Sequence, residues 1–286
     1  MLFFKINFIL REKKKTLRKN LKKALLGFSV SSMQKTISYP KLRKENIIDK
    51  HGLPDPYQWI ENKLDSEEVT KWISEQNAIV DNYINVPIRE QIQKRLSKLY
   101  NYEKYSAPFK YGNKYFYYHN SGLQNQSVLY MQDTLDSKPE VLIDPNTLAT
   151  DGTASLDEVS FSDNGEFLAY SISKSGSDWS VCYVKNVKTK ADLAEKLEWL
   201  KFSSFRWTSD NLGFFYGRYP EQNIKEEEKG KEVNLNQDQK IYYHRLGTQQ
   251  ADDILVFQTP ENPEYFIYPF VSLVRILKTL LLNHFF

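Results

Sequence analysis

A turn followed by a short apolar run recurs along this chain, and that repeat narrows the possible folds more than any other feature. The clearest copy is FSDNGEFLAYSISKSGSDWSVCYV, from Phe161 to Val184. A turn signal at Asp163-Asn164-Gly165 leads into apolar Phe167 to Tyr170, a second turn falls at Ser175 to Ser177, and Val181 to Val184 resumes the apolar pattern. Two short strands joined by a Gly/Ser loop read as a hairpin. Upstream, Gly112-Asn113 precedes Tyr115 to Tyr118, with Val128 to Tyr130 and Val141 to Ile143 beyond. Downstream, Ser209 to Gly213 precedes Phe214 to Tyr216, followed by a polar insertion and then Ile241 to Tyr243 and Ile254 to Val256. The turn glycines fall at 112, 165 and 213, and a spacing of about 50 residues is the repeat length of a β-propeller blade carrying loop insertions. The fold class expected is mixed but mainly β: an incomplete propeller of about three blades behind a small α-helical segment.

With 286 residues, 41% of them hydrophobic, the chain can bury one or two proper cores. Its single cysteine, Cys182, lies inside an apolar run and reads as a buried, inert thiol, compatible with a reducing compartment. The net charge of +3 conceals an asymmetry: residues 1–33 carry nine Lys/Arg against Glu12 alone, so the remainder is mildly acidic. The basic balance is therefore no argument for nucleic-acid binding by the folded part. Residues 1–32 read as a disordered basic extension. A secretory leader fits poorly because the apolar core is interrupted, whereas a mitochondrial presequence and a start codon assigned upstream of Met33 both stand as alternatives.

From Ser38 to Asn62 the chain reads SYPKLRKENIIDKHGLPDPYQWIEN, an irregular path set by Gly52, Pro54 and Pro56 with Tyr57, Trp59 and Ile60 available for docking. Asp65, with Glu68 three residues on, predicts a capped helix whose face carries Val69, Trp72, Ile73, Ile79 and Tyr83. Pro87 predicts the first turn of a second helix with Ile88, Ile92, Leu96 and Leu99 on one face.

The ordered series DPYQWIEN (Asp55 to Asn62), KYFYYHNSGLQNQSVLY (Lys114 to Tyr130), IDPN (Ile143 to Asn146), FSDNGEFLAY (Phe161 to Tyr170), SGSDW (Ser175 to Trp179) and KFSSFRW (Lys201 to Trp207) resembles the amino-terminal part of the prolyl oligopeptidases. The resemblance runs from about Tyr39 to about Phe266. It implies a cytosolic serine peptidase that cuts after proline in short peptides, with an α/β-hydrolase domain assembled from both chain ends and a seven-bladed propeller inserted between them. Residues 33–102 then form the amino-terminal segment of the hydrolase domain, 103–266 about three of the seven blades, and 267–286 a divergent apolar tail. By resemblance, Phe202 and Phe266 match positions lining the cavity for the residue two places before the cleaved proline, where the demand is apolar packing.

The departures matter as much as the match. No Gly-x-Ser-x-Gly occurs, and a nucleophile elbow needs one to set its serine on a sharp strand-to-helix turn. Of the four histidines, His119 and His244 follow aromatic strand runs and read as structural, while His51 sits in the Pro/Gly-rich entry stretch and His284 two residues from the end of the tail. No catalytic residue is assigned, and the chain is expected to be a truncated form, inactive alone. The tail from Ile267 to Phe286 carries no turn signal and is compatible with an amphipathic helix at an interface, while Arg275 and Lys278 make it a poor membrane span. No Gly-rich phosphate cradle, CxxC or His-rich pattern appears, so neither cofactor nor metal is implied. Short proline-containing peptides are the expected partners, and nucleic acid and membrane are not. The competing expectation is a noncatalytic interaction fragment, whose unpaired strand edges predict aggregation or dependence on another chain.

Overall fold

The computed structural model of the chain describes residues 52–61, 66–224, 229–230, 236–272 and 277–283. The chain divides into two units, residues 1–86 and 87–286. In the first, a 3-10 turn at Gln58–Ile60 places Trp59 edge-on to Trp72, with ring centroids 6.2 Å apart, and Tyr57 meets the same indole at 6.4 Å. Helix α1 (Glu67–Ile84) is capped by Ser66, whose Oγ accepts the N–H of Val69 at 3.3 Å. Asp65, the expected cap, lies outside the described residues. Ser66 takes the role because its backbone is extended (φ −64, ψ 149), which turns the hydroxyl toward the third helical N–H, and Glu67 and Glu68 then sit in the first turn, where the helix dipole favours acids.

The second unit opens with helix α2 (Pro87–Tyr100), which begins at the expected proline. Its stripe of Ile88, Ile92, Leu96 and Leu99 is about half exposed at every position. Strands β1 (Lys104–Tyr105), β2 (Phe109–Tyr111), β3 (Lys114–Asn120), β4 (Val128–Gln132) and β5 (Glu140–Ile143) form the first sheet. The second is β6 (Ser155–Phe161), β7 (Phe167–Ser173), β8 (Ser180–Asn186) and β9 (Asp192–Leu200), paired in that order. The third is β10 (Arg206–Trp207), β11 (Gly213–Arg218), β12 (Lys240–Arg245) and β13 (Ile254–Phe257). The second and third sheets are four-stranded antiparallel meanders, and the first has the same β3-β4-β5 run, with β1 and β2 both paired to β3; these three sheets are the propeller blades among the described residues.

The tail is a strand pair and not the amphipathic helix its apolar spacing also allowed. Phe266–Val271 (β14) pairs antiparallel with Leu277–Asn283 (β15), from Phe266 against Asn283 to Val271 against Leu277. A short apolar run is ambiguous between helix and strand by periodicity alone. Ile267 is buried, and its N–H is held by the Gln239 side chain, so an extended β14 is anchored from outside the tail.

The blades repeat in register. Tyr117, Tyr170 and Tyr216 occupy one place on the second of the blade's four ladder positions, each opposite another tyrosine, Tyr130, Tyr183 and Tyr242. Side chains alternate across each strand, so every middle blade faces two neighbours. Phe116, Leu129 and Met131 of the first blade meet Leu168, Tyr170 and Ile172 of the second, whose other face sends Ala169, Cys182, Val184 and Leu197 against Phe205, Trp207, Phe214 and Tyr216 of the third. Burial pushes the Cys182 thiol well above its ordinary range, consistent with the inert role expected.

The glycines that mark the repeat serve close packing. A Cβ on Gly112 would strike the carbonyl of Asn164, one on Gly165 would lie 2.8 Å from the carbonyl of Tyr111, and both residues hold positive φ (+53 and +73). The Asn164 N–H also donates to Asn211 Oδ1 at 3.2 Å, so the first turns of all three blades lie together. Because successive strands reverse direction, the β7–β8, β9–β10, β11–β12 and β13–β14 connections gather at the opposite end.

Candidate functional site

Two residues from that opposite end, Phe202 and Phe266, meet across 64 positions of sequence with ring centroids 5.5 Å apart and planes at 68°. An edge-to-face pair at this distance is a favourable aromatic geometry. Phe202 lies between Leu200 and Phe205, both fully buried, yet is itself 40% exposed. The backbone explains the reversal. Phe202 adopts φ +49 and Trp199 φ +64, the left-handed region that costs a side-chain-bearing residue about 1–2 kcal/mol. The turn swings the Phe202 ring out of the blade core toward Phe266.

Both loops are tied to the third blade. Gly217 N–H donates to Ser203 Oγ at 2.9 Å, and Tyr219 N–H to the Trp199 carbonyl at 2.9 Å, which anchors the Phe202 loop on β11 and the residue after it. The loop carrying Phe266 is held by Asp238 N–H to the Pro263 carbonyl at 2.7 Å and by Ile267 N–H to Gln239 Oε1 at 2.6 Å. Beside the pair, Trp179 packs edge-on to Trp199 (5.5 Å) and Tyr219 (6.1 Å), with the Lys201 ammonium 4.2 Å over its ring. Burial raises the Tyr219 phenol above its usual range, so it stays neutral. The site therefore offers mainly aromatic surface, with the Lys201 ammonium engaged over the Trp179 ring. A separate cavity of about 720 Å³ on the second blade shares Trp179 and Trp199 but neither phenylalanine.

The histidines hold no acyl-transfer arrangement among the described residues. His119 stacks on Tyr105 at 4.4 Å. His244 Nδ1 lies 2.7 Å from Asp253 Oδ1, with both side chains inaccessible to solvent, and Tyr216 donates its hydroxyl to the other carboxylate oxygen at 2.6 Å. Phe214 lies against the imidazole at 5.5 Å, and Nε2 has no hydrogen-bond partner among the described residues. A sealed His–Asp pair facing no hydroxyl nucleophile is a packing device. Sequence reasoning placed His244 as structural but missed Asp253, which enters from the loop before β13. His51 and His284 lie outside the described residues. No group of three or more His, Cys, Asp or Glu able to hold a metal ion occurs among the described residues.

A family model, the prolyl oligopeptidase N-terminal β-propeller domain, matches residues 40–282. The chain belongs to the prolyl oligopeptidase family. Its similarity to the prolyl endopeptidase of Elizabethkingia miricola is 36% identity over 255 residues, covering 87% of this chain and 35% of the relative. Prolyl oligopeptidase A of Amanita bisporigera is 37% identical over 283 residues, covering 87% of this chain and 37% of the relative. Among solved structures, prolyl oligopeptidase B from Galerina marginata bound to a 35mer hydrolysis and macrocyclization substrate superposes with a TM-score of 0.70 at 32% identity, covering 83% of this chain and 36% of that one. The chain thus spans about a third of the length of these prolyl oligopeptidases. The match continues beyond Phe266, the limit suggested by the sequence motifs, through β14 and most of β15.

Proposed function

We propose that this chain supplies the substrate-screening part of a serine peptidase that cuts after proline in short peptides, and that Phe202 and Phe266 form its apolar subsite for the residue two places before that proline. The observation that carries the reading is the exposed aromatic pair itself. A left-handed backbone turns Phe202 outward while its neighbours are buried, and unfavourable conformations of this kind cluster at ligand-binding positions. No Gly-x-Ser-x-Gly occurs in these 286 residues, so the nucleophile, its base and the orienting acid come from protein outside this sequence. The chain's own contribution is apolar contact with a peptide, with no cofactor. We place it in the cytosol, in keeping with its single buried thiol; among the described residues no helix is long and apolar enough to cross a membrane.

A second reading, a noncatalytic interaction module, draws support from the half-exposed stripe of Ile88, Ile92, Leu96 and Leu99 on α2, a surface that peptide screening does not use. One experiment separates the two. The purified chain is titrated with N-acetylated Phe-Gly-Pro and Ala-Gly-Pro and followed by chemical shifts of ¹³C-labelled phenylalanine, alongside a fluorogenic Gly-Pro hydrolysis assay. Preference for the Phe peptide, lost in Phe202→Ala, with no hydrolysis by the chain alone, supports the subsite. Equal or absent binding of both peptides favours the interaction module, and turnover by the chain alone overturns the division of labour.

A further inference from the structure

The two phenylalanine loops leave from different strands, yet their anchors converge on one glycine. Ser203, next to Phe202, accepts the N–H of Gly217 at 2.9 Å. Gln239 accepts the N–H of Ile267, next to Phe266, at 2.6 Å. A Cβ added at Gly217 would lie 2.7 Å from Gln239 Nε2 and 3.5 Å from Ser203 Oγ, so both anchors pass over the space a side chain there would fill. All of this is buried: Gln239 is 2% exposed and Ser203 8%. The orientation of the Gln239 amide follows from its partner, because a backbone N–H needs the oxygen. Its nitrogen is left buried with no hydrogen-bond partner among the described residues, an arrangement that carries a desolvation penalty. A leucine would fill the same space without that penalty, but could not hold Ile267.

We infer that Gln239 and Ser203, seated together over Gly217, are positioning residues that set the gap between the Phe202 and Phe266 rings and so make the subsite selective for a bulky apolar side chain. The inference rests on the reading of that pair as substrate-facing. Phe202 has only a short left-handed turn behind it, and Phe266 stands at the first residue of β14, so neither ring is located by a continuous strand on both sides. The hydrogen bonds to adjacent residues locate them instead. Placement by such supporting bonds governs how well a pocket distinguishes ligands, since small displacements remove contact on one side of a side chain.

The test uses the same two peptides and the intact chain. Wild type is expected to bind the Phe peptide about tenfold more tightly than the Ala peptide, and Phe202→Ala to erase the difference. Gln239→Leu, Ser203→Ala and Gly217→Ala should each reduce the preference by roughly threefold or more through the Phe peptide alone, while Ser203→Thr, which retains the hydroxyl, preserves it. Gly217→Ala acts on the end of the Gln239 side chain rather than on a left-handed backbone, so it probes the anchor should Gln239→Leu fail to fold. If Phe202→Ala erases the preference and both Gln239→Leu and Gly217→Ala keep it, the inference falls and the subsite stands. Equal weakening toward both peptides assigns these residues a purely structural role and also overturns it. No preference in wild type means the subsite reading itself has failed, and the inference with it.

Discussion

The second and third blades solve the same problem with different chemistry. In the second, Tyr170 donates its hydroxyl to Asp192 at 2.8 Å, and Lys185 pairs with the same carboxylate at 2.7 Å. In the third, Tyr216 donates to Asp253 at 2.6 Å, and His244 takes the place of the lysine at 2.7 Å. The register makes these positions equivalent, since Lys185 lies opposite Leu168 and His244 opposite Phe214, two residues before the respective tyrosines. What differs is water. The Asp192 side chain is 47% exposed, whereas those of Asp253 and His244 are 1% and 0% exposed. A carboxylate half-exposed to water is resolvated when its lysine is removed, so that pair contributes little, while a sealed carboxylate stripped of its histidine stays buried without compensation. The same hydrogen-bond diagram therefore carries different weight in neighbouring blades. In both, burial first and the bond to the aspartate second push the tyrosine hydroxyl far above its ordinary range, so it remains a donor.

The largest expected effect is at the sealed pair. His244→Ala should destabilise the chain by about 3–5 kcal/mol in urea unfolding, while Lys185→Ala should cost at most about 1 kcal/mol. Equal losses would break the comparison. Gly213→Ala comes next, at about 2–3 kcal/mol, because the new Cβ would strike the His244 carbonyl and press on the Tyr243 ring. The second blade carries Phe167 at the matching position, opposite Asn186 as Gly213 is opposite Arg245, so crowding by β12 alone requires the glycine. Removing one hydroxyl sharpens the contrast further. Tyr216→Phe should cost about 1.5–3 kcal/mol and Tyr170→Phe about half as much, measured by the shift in urea midpoint at constant m-value.

The smallest effect concerns the turns. Ser162 bonds the neutral side chain of Asn164 in the second blade, and Thr208 bonds Asp210 at 2.6 Å in the third. The Thr208 hydroxyl, followed by the Leu212 N–H, holds the Asp210 carboxyl below its ordinary value of 3.8. At neutral pH the carboxylate is ionised whether the chain is folded or unfolded. On acidification the unfolded chain takes up its proton first, so this stabilisation is lost as pH falls through the lowered folded value. Asp210→Asn should lower neutral-pH stability slightly, by the contribution that acid would otherwise remove, and flatten the acid limb of the unfolding profile. An unaltered acid limb would remove the turn from the comparison.

Much of the fold was legible because its signals are local. The apolar runs around Tyr115, Phe167, Val181, Phe214 and Ile241 all became strands, and Pro87 opened its helix, since pleat, turn chemistry and ring-locked φ act within a few residues. The first helix was found with its cap displaced by one residue, as several adjacent polar side chains could serve. Apolar spacing alone allowed a helix in the tail, although Pro269 already disfavours one; Gln239, 28 residues away, holds Ile267 in an extended strand. Asp253 escaped notice because a turn acid looks the same in sequence whether it meets water or His244.

The candidate site divides along the same line. Resemblance marked Phe202 and Phe266 one at a time, and nothing in the spacing of the two residues indicated that the rings touch or that Gly217 lies beneath their anchors. Sequence by itself determined the repeat, the strand and turn positions and the family, because backbone preferences and apolar alternation are written within each stretch of ten residues. Only the tertiary structure decided which blade seals its aspartate from water, that the tail pairs as a hairpin, and that two distant phenylalanines share one site. Burial and contact between remote segments depend on the folded neighbours of a residue, and no single stretch of sequence contains them.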